Sequence, residues 1–311
     1  MIERNSIMQI IKKNVIDIME RIMFRVEARD VFINAMDIIS ADSVATSWLK
    51  DLIELYETSE APLDYKGILA EGLSINESLG IHQHTFDLLL FLCLCEPLRI
   101  HYSERGIDEK IWLDSIMDLQ YKLEECYLVY GTVGTFVAPW FGGFFDMTRF
   151  AFGRLQFEIT NTKEEYIVGG ICVREGSPAI NIHIPRTGTR LDHNEVLNSY
   201  RTAADWFSSV FPEGEALFTC NSWLLDPWNL TVLNPTSNLA NFINDFEIVQ
   251  VYSYENYNEL WRLFDCNYTG DSKDLPRDSS LRRAYANRVE RFEQTCGGRG
   301  FFRLKNGEIV K

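Results

Sequence analysis

Between Gly131 and Phe157 the chain changes texture, and that change limits what it can fold into. Upstream, apolar residues recur at three- and four-residue steps. Within this stretch Phe136, Trp140, Phe141, Phe144, Phe145, Phe150, Phe152 and Phe157 are separated by Gly, Pro and Thr instead. Such spacing fits no helical period and does fit short strands and turns. A single helical bundle is excluded, and so is an all-β fold. An α+β chain of two units is expected, 1–135 helical and 136–311 built on a mixed sheet flanked by helices. Its 311 residues suffice for two domains of ordinary size.

Upstream of the change the periodicity predicts four main helices. Ile7, Ile10, Ile11, Ile18, Ile22 and Val26 form one apolar stripe, with Lys, Asp and Glu between them. A second helix is expected over Val44 to Tyr56 and a third over Phe86 to Leu98. Ser74 and Glu77 have the spacing of a capping box, which predicts a short helix opening there. The fourth is marked by Ile111, Trp112, Ser115, Ile116, Leu119, Leu123, Cys126 and Tyr127 on one side, with Gly131 as the stop. None of these segments carries a catalytic signature.

Downstream, Leu155 to Ile159, Tyr166 to Val173 and Ala179 to Ile184 read as three strands of a meander. A loop of Pro185, Arg186, Thr187, Gly188, Thr189 and Arg190 follows. Asp192 and Glu195 then open a helix with Val196, Tyr200, Ala204, Phe207 and Phe211 on one face. Further strands are expected over Ala216 to Leu225, Glu247 to Tyr254 and Phe301 to Leu304. Helices are expected over Ser237 to Phe246 and Ser279 to Thr295, the last stopped by Gly297 and Gly298.

Charge and cysteine usage narrow the functional classes. The net charge of −15 argues against a protein built to neutralise nucleic-acid phosphates, which requires a surplus of Lys and Arg. Seven cysteines, odd in number and without a CxxC pair, fit reduced thiols in a cytoplasmic protein better than a disulfide framework. The longest apolar run, Leu88 to Cys95, is far short of the roughly 20 residues that span a bilayer. A protein of the cytoplasm without a membrane or nucleic-acid partner is expected. His82 and His84 lie near Glu77 and Asp87 but lack zinc spacing, and no metal site is expected. The arginines at 282, 283, 288 and 291 suggest contact with an acidic surface, the first 150 residues carrying 24 Asp and Glu against 13 Lys and Arg.

The order of elements after residue 150 resembles the GNAT superfamily of acyl-CoA-dependent N-acyltransferases. Local sequence is similar as well. Gly153-Arg-Leu-Gln-Phe-Glu158, the strand end Ile182-His-Ile-Pro185, Cys220-x-Ser-Trp-Leu-Leu-Asp-Pro227 and Ser237-Asn-Leu together resemble a bacterial acyltransferase-like family. That family joins a helical N-acyltransferase amino-terminal domain to a GNAT-like carboxy-terminal domain. The resemblance implies acyl transfer from a CoA thioester to a small-molecule amine, with acyl-CoA as co-substrate. It places the pyrophosphate at the loop Arg186, Thr187, Gly188, Thr189 and Arg190, where backbone N–H groups and a helix amino terminus favour an anion. The loop departs from the R/Q-x-x-G-x-G/A pattern: Gly188 is one position early, a second glycine is missing, and Asp192 brings negative charge close by.

Direct attack by an amine on a thioester needs a base for the amine proton and a proton for the leaving thiolate. His183, on the strand before the loop, is the candidate base, and Glu158 the candidate to bind or deprotonate a cationic amine. Ser222 and Tyr252 are candidate acids for the thiolate. Each has a plainer explanation: a histidine packed in a sheet, a carboxylate paired with Arg154 or Arg174, hydroxyls in a core. Cys220 could serve as a nucleophile only if His183 lay beside it, and a buried thiol accounts for it equally. Two functions therefore stand: an acyl-CoA-dependent N-acyltransferase, or a GNAT-like fold without chemistry that binds a small molecule or protein. The missing second glycine is the sequence argument for the latter.

Overall fold

The computed structural model describes residues 2–212 and 214–311, with side chains from Ile7 onward. The chain divides into two compact units, Met1–Phe150 and Ala151–Lys311. The first holds α1 (Ile2–Arg21), α2 (Val26–Ala41), α3 (Ser43–Thr58), α4 (Tyr65–Leu79), α5 (Gln83–Glu104) and α6 (Glu109–Tyr130), followed by the single turn α7 (Gly142–Phe145). Every residue from Leu88 to Cys95 is buried. A helix apolar on all sides belongs at a centre, and α1, α2, α3, α4 and α6 all pack on α5. No described helix is long and apolar enough to cross a membrane.

Several expectations for this unit are corrected. The stripe from Ile7 to Val26 belongs to two helices, because Met23 adopts a left-handed φ of 59° and turns the chain between α1 and α2. The buried side of α1 is Met8, Ile11, Val15, Ile18 and Met19, with Ile22 buried just past its end, while Ile7 and Ile10 of α1 and Val26 of α2 face outward. Ser74 and Glu77 lie inside α4, whose N-cap is Asp64, so they open no helix. Gly131 is the left-handed C-cap of α6, where the sequence puts the stop. The boundary between units falls after residue 150 rather than at 135 because the aromatic stretch packs into the helical core. Phe141 and Phe145 lie 5.1 and 5.0 Å from Phe91, and Tyr56 donates to the Phe145 carbonyl at 2.7 Å.

The second unit is built on a mixed sheet. Its strands are β1 (Arg149–Phe152), whose first two residues belong to the first unit, β2 (Leu155–Asn161), β5 (Pro178–His183), β6 (Glu215–Ser222), β7 (Glu247–Ser253), β8 (Cys296–Lys305) and β9 (Glu308–Val310). The order is β1-β2-β5-β6-β8-β7, with β9 on β8. Between β2 and β5 the chain makes a separate hairpin, β3 (Tyr166–Val168) and β4 (Ile171–Val173). The expected single strand over 166–173 is thus two, split by Gly169 and Gly170 with φ of 56° and 72°, which suits glycine. β2 pairs directly with β5, so these segments form no simple meander.

Helices α8 (His193–Trp206), α9 (Asn229–Val232), α10 (Asn238–Asn244), α11 (Trp261–Phe264) and α12 (Ser280–Glu290) complete the unit. Alternation along the strands divides the sheet into two faces. Phe157, Ile180, Ile182, Phe218, Cys220 and Phe302 share one face and are buried. Tyr200 of α8 packs there, its ring 5.5 Å from Phe218 and 4.8 Å from Phe302. The β3–β4 hairpin covers part of the opposite face, Tyr166, Val168 and Val173 clustering with Ala179 and Phe301. The helix expected to 295 stops at Glu290, and β8 starts at Cys296, so Gly297 and Gly298 lie inside a strand. A Cβ at either position would meet Tyr252 or the Leu225 carbonyl, which is why they are glycines.

Candidate active site

Strands β5 and β6 are the parallel pair in this sheet, and their pairing is short. Ile180, Asn181 and Ile182 face Phe218, Thr219 and Cys220, and there the ladder ends. β6 continues to Ser222 along β8, whereas β5 stops at His183, ahead of Pro185, which has no N–H to donate. The two strands therefore part beside His183. Such a gap at the carboxyl end of parallel strands is a place where a ligand can reach the sheet's interior.

Strand register assembles the polar residues at this gap. Glu158 stands opposite Asn181 and Gln156 opposite His183, so Glu158, Asn181 and His183 project from the face away from α8. His183 Nε2 lies 2.7 Å from Glu158 Oε1, and both side chains are about one-fifth exposed. Asn181 Nδ2 donates to the same carboxylate oxygen at 3.2 Å and lies 3.1 Å from His183 Nε2. A carboxylate only accepts, so it favours the tautomer with hydrogen on Nε2. The carboxylate thus fixes the orientation of the imidazole.

The other candidate residues lie apart from it. By the same alternation Ser222 and Cys220 project toward α8, on the face opposite His183. Ser222 caps the 3-10 turn Trp223–Leu225 by accepting from Leu224 N. Cys220 is 1% exposed, and burial pushes its thiol up to about 12, which leaves no thiolate to attack at neutral pH. Tyr252 is on the His183 face but three strands away, roughly 14 Å at ~4.8 Å per strand. Its hydroxyl meets that of Tyr254 at 3.4 Å. Neither hydroxyl is placed to exchange a proton with a group held at His183.

The loop after β5 is anchored from both ends. Arg154 donates to the carbonyls of Pro185 and Arg190, at 3.0 and 3.4 Å. Arg186 forms a fork-to-fork pair with Asp265, which also accepts from Arg282 at 2.5 Å. Thr187 and Thr189 hydroxyls bond each other at 2.8 Å, Gly188 takes a left-handed φ of 75°, and Arg190 is exposed. Asp192 is the N-cap of α8, its carboxylate accepting from Asn194 N and Glu195 N. The features expected to hold phosphates are thus partly occupied by the protein's own carboxylates.

The carboxy-terminal arginines are satisfied within their own unit, against the expectation that they meet another acidic surface. Arg288 and Asp226 form a buried pair at 2.6 Å, Arg282 bonds Asp265 and Asp278, and Arg291 bonds Glu293. Sequence reasoning also missed a second imidazole–carboxylate pair. His193 Nε2 lies 2.9 Å from Asp245, which accepts from Tyr200 at 3.3 Å on the α8 side. Burial raises the Asp245 carboxyl, and the bond from His193 opposes it. Asn181 was missed as well, having only its alternation with His183 as a signal.

A mixed sheet whose central parallel strands part, with a helix entered through an anion-loop sequence at that point, defines a GNAT-like domain. Residues 150–302 match the GNAT-like C-terminal domain, and residues 13–147 match the N-acyltransferase N-terminal domain. The chain belongs to the acyltransferase family that joins these two domains. Among solved structures, an acyltransferase in complex with decanoyl-CoA and teicoplanin is 21% identical, with TM-score 0.70 over 93% of this chain and 87% of that one. An acyltransferase in complex with CoA and 10C-teicoplanin is 20% identical, with TM-score 0.70 over 93% and 86%. A third, with decanoyl-CoA, is 19% identical, with TM-score 0.67 over the same shares. Likeness at this level speaks to the fold. No curated protein matches the chain.

Proposed function

We propose that the chain is an acyl-CoA-dependent N-acyltransferase. The observation that carries the reading is the Glu158–His183 pair at 2.7 Å, set where β5 and β6 part. Past Ile182 the strands no longer bond each other, and their free edges offer main-chain groups to the extended, amide-bearing arm of a thioester. An amine beside His183 attacks the thioester carbonyl. The N–C bond forms, the C–S bond breaks, the amine proton passes to His183 Nδ1, and the imidazolium returns it to the departing sulfur. Glu158 keeps the ring oriented and stabilises its charged form. Ser222 and Tyr252 take no part in this scheme.

The donor's phosphates fall to the loop from Arg186 to Arg190. Arg190 is free in solvent to meet them, and Arg186 is held ready by Asp265. Solved relatives of the same fold hold decanoyl-CoA, so medium-chain thioesters belong in the first screen beside acetyl-CoA. One observation favours the alternative, a binding module without turnover: Asp265 and Asp192 already fill much of the anion site.

Thiol release from acetyl-, octanoyl- and decanoyl-CoA with a panel of primary amines separates the two readings. Turnover that His183→Ala reduces by roughly 100-fold or more supports the transferase. Thioester binding without turnover for any amine supports the module. Turnover that His183→Ala leaves intact would overturn the assignment of the base.

A further inference from the structure

We infer that the acceptor amine carries a carboxylate and that Arg299 receives it. The inference rests on the transferase reading and names the class of its acceptor. On the face that holds His183, a cavity of about 200 Å³ lies beneath the β3–β4 hairpin. Thr160, Asn181, Thr219, Asn221, Tyr166 and Arg299 line it. Asn181 belongs to both places, donating to Glu158 while forming part of the cavity wall. The cavity wall therefore adjoins the proposed base through Asn181, 3.1 Å from His183 Nε2.

Register fixes the distances. Asn221 stands opposite Arg299 and Asn181 opposite Thr219, so Asn181, Asn221 and Arg299 share the face that holds His183. β5 and β8 flank the single strand β6, so the strands that carry His183 and Arg299 are roughly 10 Å apart at ~4.8 Å per strand where the ladder holds. A small molecule can bridge that span with its amine at the imidazole and its far end at the guanidinium.

Arg190, Arg201, Arg262 and Arg283 of this unit lack an ion-pair carboxylate among the described residues and are exposed, whereas Arg299 is partly buried. Arg186, Arg277, Arg282, Arg288, Arg291 and Arg303 each lie within 4 Å of a carboxylate. Arg299 is half-buried, donates to the Tyr166 hydroxyl at 3.1 Å, and has no carboxylate partner among the described residues. In a chain of net charge −15 this is not for want of acids. A guanidinium withdrawn from water without a counter-ion is costly, and a bidentate carboxylate offsets that cost. Lys163 at the cavity wall adds a second positive charge. The volume corresponds to about seven waters at ~30 Å³ each, enough for the carboxylate end of an amino acid and too little for a nucleotide.

The test uses ω-amino carboxylates of increasing chain length, each beside its primary amide, as acceptors for octanoyl-CoA. Wild type should favour the acid over the amide by about tenfold or more in kcat/KM at one preferred length. In Arg299→Met that ratio should fall toward one, with Arg299→Lys recovering part of it, while the KM for octanoyl-CoA stays unchanged. Calorimetric titration of the same acids without thioester gives a readout independent of turnover, and binding lost in Arg299→Met supports the inference even in a chain that transfers nothing. Acid preference that survives in Arg299→Met overturns it, as does a raised KM for octanoyl-CoA, which would assign Arg299 to the donor's phosphates. Absence of thioester binding with acid binding intact would refute the transferase reading and leave the carboxylate site standing.

Discussion

Replacing Glu158 with Gln tests the proposed chemistry where it is most exposed to failure. The carboxylate accepts from His183 at 2.7 Å and from Asn181 at 3.2 Å, and both bonds are strengthened by its charge. Gln keeps the shape and removes the charge. The bond that steadies the imidazolium then weakens by about 1.5–3 kcal/mol, or roughly 10- to 150-fold in rate. A second loss comes from Asn181, whose Nδ2 is 3.1 Å from His183 Nε2. Released from the carboxylate, that amide donates to Nε2, moves the ring hydrogen to Nδ1 and removes the base. Together these effects should lower kcat by roughly 100- to 1,000-fold, inside the range for loss of a general base. At saturating acyl-CoA, thiol release should show the whole loss in kcat with the donor KM within about twofold of wild type. Adding Asn181→Ala to the Gln variant should restore part of the rate, since the competing donor is gone. A kcat within about threefold of wild type, or a loss confined to KM, would refute the role given to the pair.

Two further predictions concern stability and pH. Asp226→Asn keeps the acceptor for Trp228 N but leaves Arg288 uncompensated in a site where the pair is 4% and 8% exposed, so denaturant unfolding should show a loss of about 3–5 kcal/mol. Replacing both partners with apolar residues should recover most of it, and an unchanged midpoint in Asp226→Asn would contradict the buried-pair account. In the helical unit, burial pushes the Asp87 carboxyl up from 3.8 to about 6, against the bond from Gln83. The folded state then binds that proton more tightly than the unfolded chain, so the contribution is present at low pH and is lost as pH rises through about 6. Asp87→Asn should flatten the fall in stability between pH 3.8 and about 6, and identical slopes in the two proteins would refute it.

The helical half was legible wherever one residue type dictates one geometry. Gly131 as a left-handed C-cap and the apolar run from Leu88 to Cys95 as a central helix follow from local rules. The break at Met23 was not legible, because it has no Gly or Pro to mark it and rests on how α1 and α2 pack on α5. Gly297 and Gly298 misled for a related reason. Glycine that ends a helix and glycine that lets another chain segment come close look alike in sequence, and the tyrosine and carbonyl that decide between them lie 45 and more residues away. In the site, His183 and Glu158 stood out by residue type and position. Their pairing depends on the β2–β5 register, and the occupation of Arg186 depends on Asp265, 79 residues downstream.

Face assignment is what turns these residues into a site. Along β6, alternate residues serve opposite purposes: Phe218 and Cys220 close the core against α8, while Thr219 and Asn221 line a polar cavity. Along β5 the same holds, Ile180 and Ile182 facing inward and Asn181 and His183 facing the cavity side. A shift of one residue in either strand would bury the imidazole and expose the isoleucines, so the apolar core that fixes the register also fixes the chemistry. The packing of Tyr200 between Phe218 and Phe302 therefore acts on the site from the far side of the sheet. It braces β6 and β8 from that side, and β6 in turn carries the short parallel ladder to β5 that ends beside His183.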